Sequence, residues 1–393
     1  MPVPMAPGMK EGLRRVAPYL VAAAWLSLGA ANLSRGLAHS GVAYRPWAFR
    51  CHSYSDLLAL SGDRYLGGGR PLPYLEDRIE YPVLLGLTLY LPALAPGGQG
   101  AHFTLSVLFL GLSLLAAVAL LRRLPGASPW WLAGTPALAY YGALNWDLLP
   151  IALLLAAVWQ GERRHPGRAG ALSALGVSAK LFPAAFLPAA AAELLGPGRR
   201  RELFRFALSF AAAVAVVNLP FALLAPANWS FFFRYNALRA AENSVWELTP
   251  LRDPRVLNAV TAACLAAAAA AAAVAVRRAS PLASARAVRL GTALVLVTWV
   301  ATNKVYSPQY ALYAFAAGAL AAAPGWLFWA LSAVSAVDYH LAFEVRSGRG
   351  LFTFFDATYD LEEAVRTALY AALALFLLRA LRRTRAACAE ATQ

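Results

Sequence analysis

Long apolar runs free of charge, separated by short clusters of arginine, constrain this chain more than any other feature it has. A run of about 20 apolar residues matches the hydrocarbon thickness of a bilayer, and inside lipid its backbone must satisfy its own hydrogen bonds as a helix. The strong runs are Val16–Leu33, Ala101–Leu121, Trp130–Leu144, Leu148–Trp159, Leu203–Leu224 and Val256–Val276. Weaker ones follow at Val288–Ala301, Tyr310–Ala323, Trp326–Phe343 and Leu361–Leu381. With 60% hydrophobic and 14% charged residues, the composition lies far from the roughly one-quarter charged average of soluble domains. Disorder is excluded, and a polytopic all-α membrane protein is the expected class. Lys10, Arg14 and Arg15 before the first run resemble a signal peptide, but no clean small-residue cleavage site follows, so it reads as an uncleaved first helix.

The basic residues set the expected topology. Ala169–Leu195 lies between Arg163, Arg164 and Arg168 on one side and Arg199, Arg200 and Arg201 on the other, yet it is too short for two full crossings. With Lys180 and Pro183 at its middle, it reads as a hairpin of two short helices. The total becomes about twelve membrane helices with both termini cytoplasmic, one domain over 1–393 that includes a first outer loop at 34–100 and a tail at 382–393. Tyr81–Leu94 is apolar too, but a full span there would move Arg122 and Arg123 outside. It reads instead as a helix along the outer interface, with Pro82 in its first turn. This topology places twenty Lys and Arg on the cytoplasmic face with only Glu11, Glu162, Glu193, Glu202 and Glu390, so the whole +15 net charge is sided. Anionic lipid accounts for such clusters, and no nucleic-acid partner is called for. Cys51, Cys264 and Cys388 form no CxxC or Cys/His spacing, so neither a disulfide framework nor structural zinc is expected. The alanines at 266–273 read as compositional bias.

The chemistry is then expected in the outer loops. The first is far longer than a connection needs and holds Tyr54-Ser55-Asp56, Asp63, Gly67-Gly68-Gly69, Leu72-Pro73-Tyr74 and Glu76-Asp77-Arg78-Ile79-Glu80-Tyr81-Pro82. A tight second loop carries Asn145-Trp146-Asp147, and an aromatic third loop runs from Pro226 to Pro254. A fourth holds Asn303-Lys304-Val305-Tyr306-Ser307-Pro308-Gln309-Tyr310. Polar groups at the hydrocarbon edge are costly unless they serve a site or pathway.

In order and spacing, Tyr54-Ser55-Asp56, Leu72-Pro73-Tyr74, Glu80-Tyr81-Pro82-Val83-Leu84, Asn145-Trp146-Asp147, Ala179-Lys180-Leu181-Phe182-Pro183 and Asn303-Lys304 with Ser307-Pro308-Gln309-Tyr310 make a recognisable set. Through it the chain resembles the C-type (GT-C) integral-membrane glycosyltransferases, most closely the polyprenyl-phosphate-mannose-dependent mannosyltransferase-like proteins of glycosyltransferase family 87. The resemblance implies a GT-C fold and makes Asp56, the acid of the first outer loop, the catalytic base. It also implies inverting transfer of a sugar, above all mannose, from a polyprenyl phosphate to a lipid-linked or envelope glycan acceptor. Asp147 stands without the second carboxylate of the metal-dependent oligosaccharyltransferases, so no metal and no other cofactor is expected.

The residues themselves agree with a lipid donor, since no phosphate-cradling glycine loop and no Asp-x-Asp motif is present. Inverting transfer needs a general base and cationic or hydrogen-bonding groups on the departing phosphate. Lys180, Lys304, Tyr306, Gln309 and Arg78 are the phosphate candidates. Asp147, Asp63 and Glu80 are secondary ones, with competing readings as a helix cap for Asp147 and an ion-pair partner of Arg78 for Glu80 and Asp77. His52 and His340 receive no role. The rival class is a transporter or flippase for a polar lipid, which would show paired halves with matching interrupted helices. The long first loop and the hairpin have no counterparts in the second half.

Overall fold

The computed structural model describes residues 7–39, 43–66, 69–347 and 352–390. Gly67, Gly68 and the last three residues of the expected tail lie outside them. The described residues are helical, with no sheet and only isolated bridges between Pro73 and Asp77 and between Glu242 and Val305. Six helices among them are long and apolar enough to cross a membrane: Glu11–Ala38, Gly98–Arg123, Arg200–Leu224, Pro254–Arg278, Ser284–Thr302 and Ala357–Thr384. The protein is therefore a multi-pass membrane protein.

Six of the about twelve expected membrane helices are thus long and apolar enough to cross; of the other apolar runs, Trp326–Phe343 lies in one continuous 23-residue helix, Gly325–Ser347, and the rest fold shorter than a full crossing. Trp130–Leu144 is two short helices, Trp130–Ala133 and Ala137–Tyr141, because Pro136 interrupts the ladder and Thr135 Oγ1 takes the N–H of Ala137 at 3.2 Å. Leu148–Glu162 and Ala311–Ala321 have 15 and 11 residues. At about 1.5 Å per residue, neither reaches the roughly 30 Å of a hydrocarbon core. The hairpin forms as expected: Pro166–Ala179 ends at an extended Lys180, and Phe182–Phe186 with Leu187–Leu194 returns along it. The segment after Tyr81 gives an eight-residue helix, Val83–Tyr90, capped by Pro82 and packed inward on Val83, Leu85 and Leu89. Gly86 admits the Tyr74 hydroxyl there; an added Cβ would stand 2.1 Å from it.

Ser284–Thr302 and Ala311–Ala321 form the centre, the first with 67% of its apolar window buried and the second buried from 311 to 320. The alanine stretch has a packing purpose after all. Ala272 is fully buried, and its Cβ would lie 2.8 Å from a Cβ added to Gly291, so small residues let the two backbones approach. Arg200–Leu224 is the opposite case: only Phe206 among its side chains is buried, and it leans on Pro166–Ala179 at Gly170, where a Cβ would meet the Phe206 carbonyl at 2.3 Å.

The basic clusters gather at one end of the bundle. Arg122 donates to the Arg15 carbonyl, Arg289 pairs with Glu162 and reaches the Pro125 carbonyl at 2.5 Å, and Arg199 lies 3.1 Å from Glu193. The loops around 44–66, 71–82, 226–254 and 303–310 assemble at the other end.

Candidate active site

Asp56 opens a five-residue helix, Asp56–Leu60, whose cap is the extended Ser55 with its Oγ accepting from the Leu57 N–H at 3.2 Å. The same hydroxyl donates to the Ala143 carbonyl at 2.7 Å, and the Asp56 N–H donates to the Leu144 carbonyl at 2.8 Å. Two distant motifs are thereby stitched together: Tyr54-Ser55-Asp56 lies directly on the loop that carries Asn145. The Asp56 carboxylate accepts from the Tyr54 hydroxyl at 2.8 Å and from Asn145 Nδ2 at 2.7 Å. Asn145 Nδ2 also donates to the Tyr81 hydroxyl at 3.0 Å, and Asn145 Oδ1 accepts from the Trp146 N–H at 2.6 Å, which fixes the way its amide faces. Burial pushes the Asp56 carboxyl above its ordinary range, while the Tyr54 and Asn145 hydrogen bonds and the Lys180 charge oppose that rise.

The carboxylate faces a cavity of about 620 Å³ whose walls bring together most of the expected residues: Asp56, Glu80, Lys180, Lys304 and Gln309. Lys304 is held by its loop, since Glu242 N–H donates to the Lys304 carbonyl at 3.0 Å and Tyr306 N–H to the Glu242 carbonyl at 2.9 Å. Its ammonium donates to the Ala237 carbonyl at 2.9 Å. Burial, with Arg239 nearby, lowers its proton affinity below that of a free lysine. Lys180 sits deeper, its ammonium 2.5 Å from Asp147 Oδ1 and over the rings of Tyr310 and Tyr81. Asp147 is fully buried and serves as the counter-charge of Lys180, a partner that sequence distance concealed.

Three expectations need correction. Tyr306 does not line the cavity; its hydroxyl meets the Tyr370 hydroxyl at 2.8 Å, and the Arg366 guanidinium stacks on its ring at 3.8 Å. Arg78 is exposed in a neighbouring groove that also holds Asp63, and Asp63 pairs with Arg45 at 2.7 Å. Glu80 and Asp77 do not pair with Arg78. Arg64 takes both, at 2.5 and 2.7 Å, and also donates to the Arg78 carbonyl at 2.7 Å.

The cavity also uses cations that the motifs did not mark: Arg45, Arg239 and Arg346. Arg239 pairs with Glu242, and Arg346 stands 3.9 Å from the same carboxylate. A signal was available, because these arginines belong to the basic residues left over once the sided clusters are removed. Behind the wall, His52 Nδ1 lies 2.8 Å from His340 Nδ1, and His52 Nε2 lies 2.9 Å from Glu344. Among the described residues no group of three or more His, Cys, Asp or Glu is placed to hold a metal ion.

A membrane bundle with a half-buried carboxylate facing a cation-walled cavity has parts that suit a group-transfer enzyme. The family model for glycosyltransferase family 87 matches residues 80–302, more than half of the chain, and the chain belongs to that family. The match begins at Glu80 and takes in Asn145, Asp147 and Lys180; Asp56 precedes it, and Lys304 and Gln309 follow it. No curated protein is similar enough to the chain to match.

Proposed function

We propose that the protein transfers a sugar, mannose being the first candidate, from a polyprenyl phosphate to a lipid-linked or cell-envelope glycan acceptor, with inversion at the anomeric carbon. The observation that carries this reading is the Asp56 carboxylate, pinned by Tyr54 and Asn145 and facing the cavity that Lys304, Arg239 and Arg45 wall. A hydroxyl attacks well only with a proton acceptor within hydrogen-bond reach, and Asp56 supplies one. As the glycosidic bond to phosphate breaks, negative charge grows on the departing oxygen. Lys304, Arg239 and Gln309 are the donors for it, acting in a recess where such contacts are strong. Phosphate leaves as an anion, so a second carboxylic acid is not required.

In this reading the cavity faces away from the cytoplasm, and both termini and the basic clusters lie on the cytoplasmic side. Leu181, Phe182, Phe232, Phe233 and Trp299 give the cavity an apolar wall suited to the first isoprene units of a donor. The test is incubation of the purified full chain with radiolabelled polyprenyl-phosphate-mannose and extracted envelope lipids. A labelled product formed without nucleotide sugar, and absent with Asp56→Asn, is the expected result. Labelling only from a nucleotide sugar would overturn the donor assignment.

A further inference from the structure

At the end of the bundle remote from Asp56 lies a second cleft, of about 560 Å³, between the end of the Gly98–Arg123 helix and the turn joining Leu148–Glu162 to Pro166–Ala179. Arg123, Trp159, Gln160, Arg163, His165 and Arg168 line it. The guanidinium carbons of Arg123 and Arg163 each stand 5.4 Å from the centre of the Trp159 ring, so both cations are organised by one aromatic. No carboxylate lines the cleft. Two carboxylates of the same end are engaged elsewhere, Glu162 by Arg289 and Glu193 by Arg164 and Arg199. Among the described residues Arg123, Arg163 and Arg168 form no ion pair. The turn holds Arg164 at φ 59°, a left-handed backbone that a non-glycine residue rarely adopts, with His165 N–H donating to the Gln160 carbonyl at 3.0 Å.

Three like charges lining one cleft, two of them over one tryptophan, repel one another unless an anion stands among them. Guanidinium forks match phosphate oxygens in a bidentate fashion, and tryptophan sits readily at the headgroup level of a bilayer. We propose that this cleft binds the phosphodiester headgroup of one anionic membrane phospholipid, with the three arginines on its phosphate. The site is separate from the Asp56 cavity, and its failure would leave the enzymatic reading untouched.

Native mass spectrometry of the detergent-solubilised full chain, titrated with phosphatidylglycerol or with glycerol 3-phosphate, tests it. The expected result is one tightly retained phosphatidylglycerol, lost in Arg123→Gln/Arg163→Gln/Arg168→Gln with an affinity fall of about fivefold per arginine, roughly a hundredfold in all. The charge-matched variant Arg277→Gln/Arg278→Gln/Arg286→Gln, at exposed positions of the same end, should keep the lipid. If the triple variant fails to fold, Arg168→Gln alone should show the fivefold step. Equal loss in the two triple variants would reduce the cleft to a diffuse basic field and overturn the proposal. Retention of glycerol 3-phosphate as tight as that of the lipid would overturn it in favour of a soluble phosphate compound.

Discussion

Removing the Lys180 ammonium while leaving Asp147 in place should destabilise the protein before it does anything specific to the donor. Lys180 is 7% exposed and Asp147 fully buried, with Nζ and Oδ1 2.5 Å apart, so Lys180→Met strands a carboxylate with no other cation in contact. Breaking a buried pair from one side costs about 3–5 kcal/mol, because the remaining charge keeps its desolvation penalty and loses its compensation. Replacing both members by neutral groups of similar volume is often close to neutral. A double-mutant cycle in detergent, read by thermal and chemical unfolding, separates the contributions. Lys180→Met and Asp147→Asn should each unfold more readily than the parent, and Lys180→Met/Asp147→Asn should recover most of the loss. Donor affinity measured on that stable double variant then shows whether the Lys180 charge serves the phosphate as well. If Lys180→Met proved as stable as the parent while donor affinity fell, Lys180 would be a ligand group with a spare charge, and its pairing with Asp147 would not be what holds it.

Asp56→Asn should fold and bind donor yet lose turnover by about 10²–10⁴, the usual worth of a general base; near-normal turnover would move the base elsewhere. Because burial raises the Asp56 carboxyl, and a base works only when ionised, activity should fall on the acid side at a higher pH than a free aspartate would give. Tyr54→Phe removes a donor that favours the charged form, so it should shift that acid limb further upward in a kcat/KM profile; an unmoved limb would take Tyr54 out of the network. Activity should survive EDTA, since Asp147, the carboxylate of the second loop, is already committed to Lys180. In a cysteine-free background an impermeant thiol reagent should modify Arg252→Cys from outside but not Arg200→Cys or Arg382→Cys, all three being exposed positions; labelling of Arg200→Cys would invert the topology.

Periodicity and charge made the broad architecture legible, and local context decided where they failed. The hairpin could be read because arginines fence it and Pro183 and Lys180 mark its middle. The break at 130–144 was hidden, because Gly134-Thr135-Pro136 sits inside an unbroken apolar composition and hydropathy does not register a proline's missing N–H. Asp56 could be singled out from its motif, but its dependence on Asn145 could not, since that contact joins residues 89 apart in sequence. Lys180 illustrates the same limit: a buried cation demands a counter-charge, yet the sequence does not say which of several acids folds against it. Tyr306 was misplaced because its neighbours Val305 and Ser307 face the cavity, and a loop has no period from which to tell inward from outward.

The nearly bare Arg200–Leu224 helix bears on how this protein tolerates change. Side chains that touch lipid answer to solubility in hydrocarbon and hardly to shape, so leucine, valine, isoleucine and phenylalanine should exchange freely along most of its length. Gly170 on the facing helix has no such freedom, because even a methyl group would collide with the Phe206 carbonyl. Variation within one packed pair of helices should thus be strongly lopsided, drifting on the member that looks ordinary and frozen at a single glycine on the other. A homologue can differ at nearly every lipid-facing position of that helix and still build the same cavity, provided that one small residue remains.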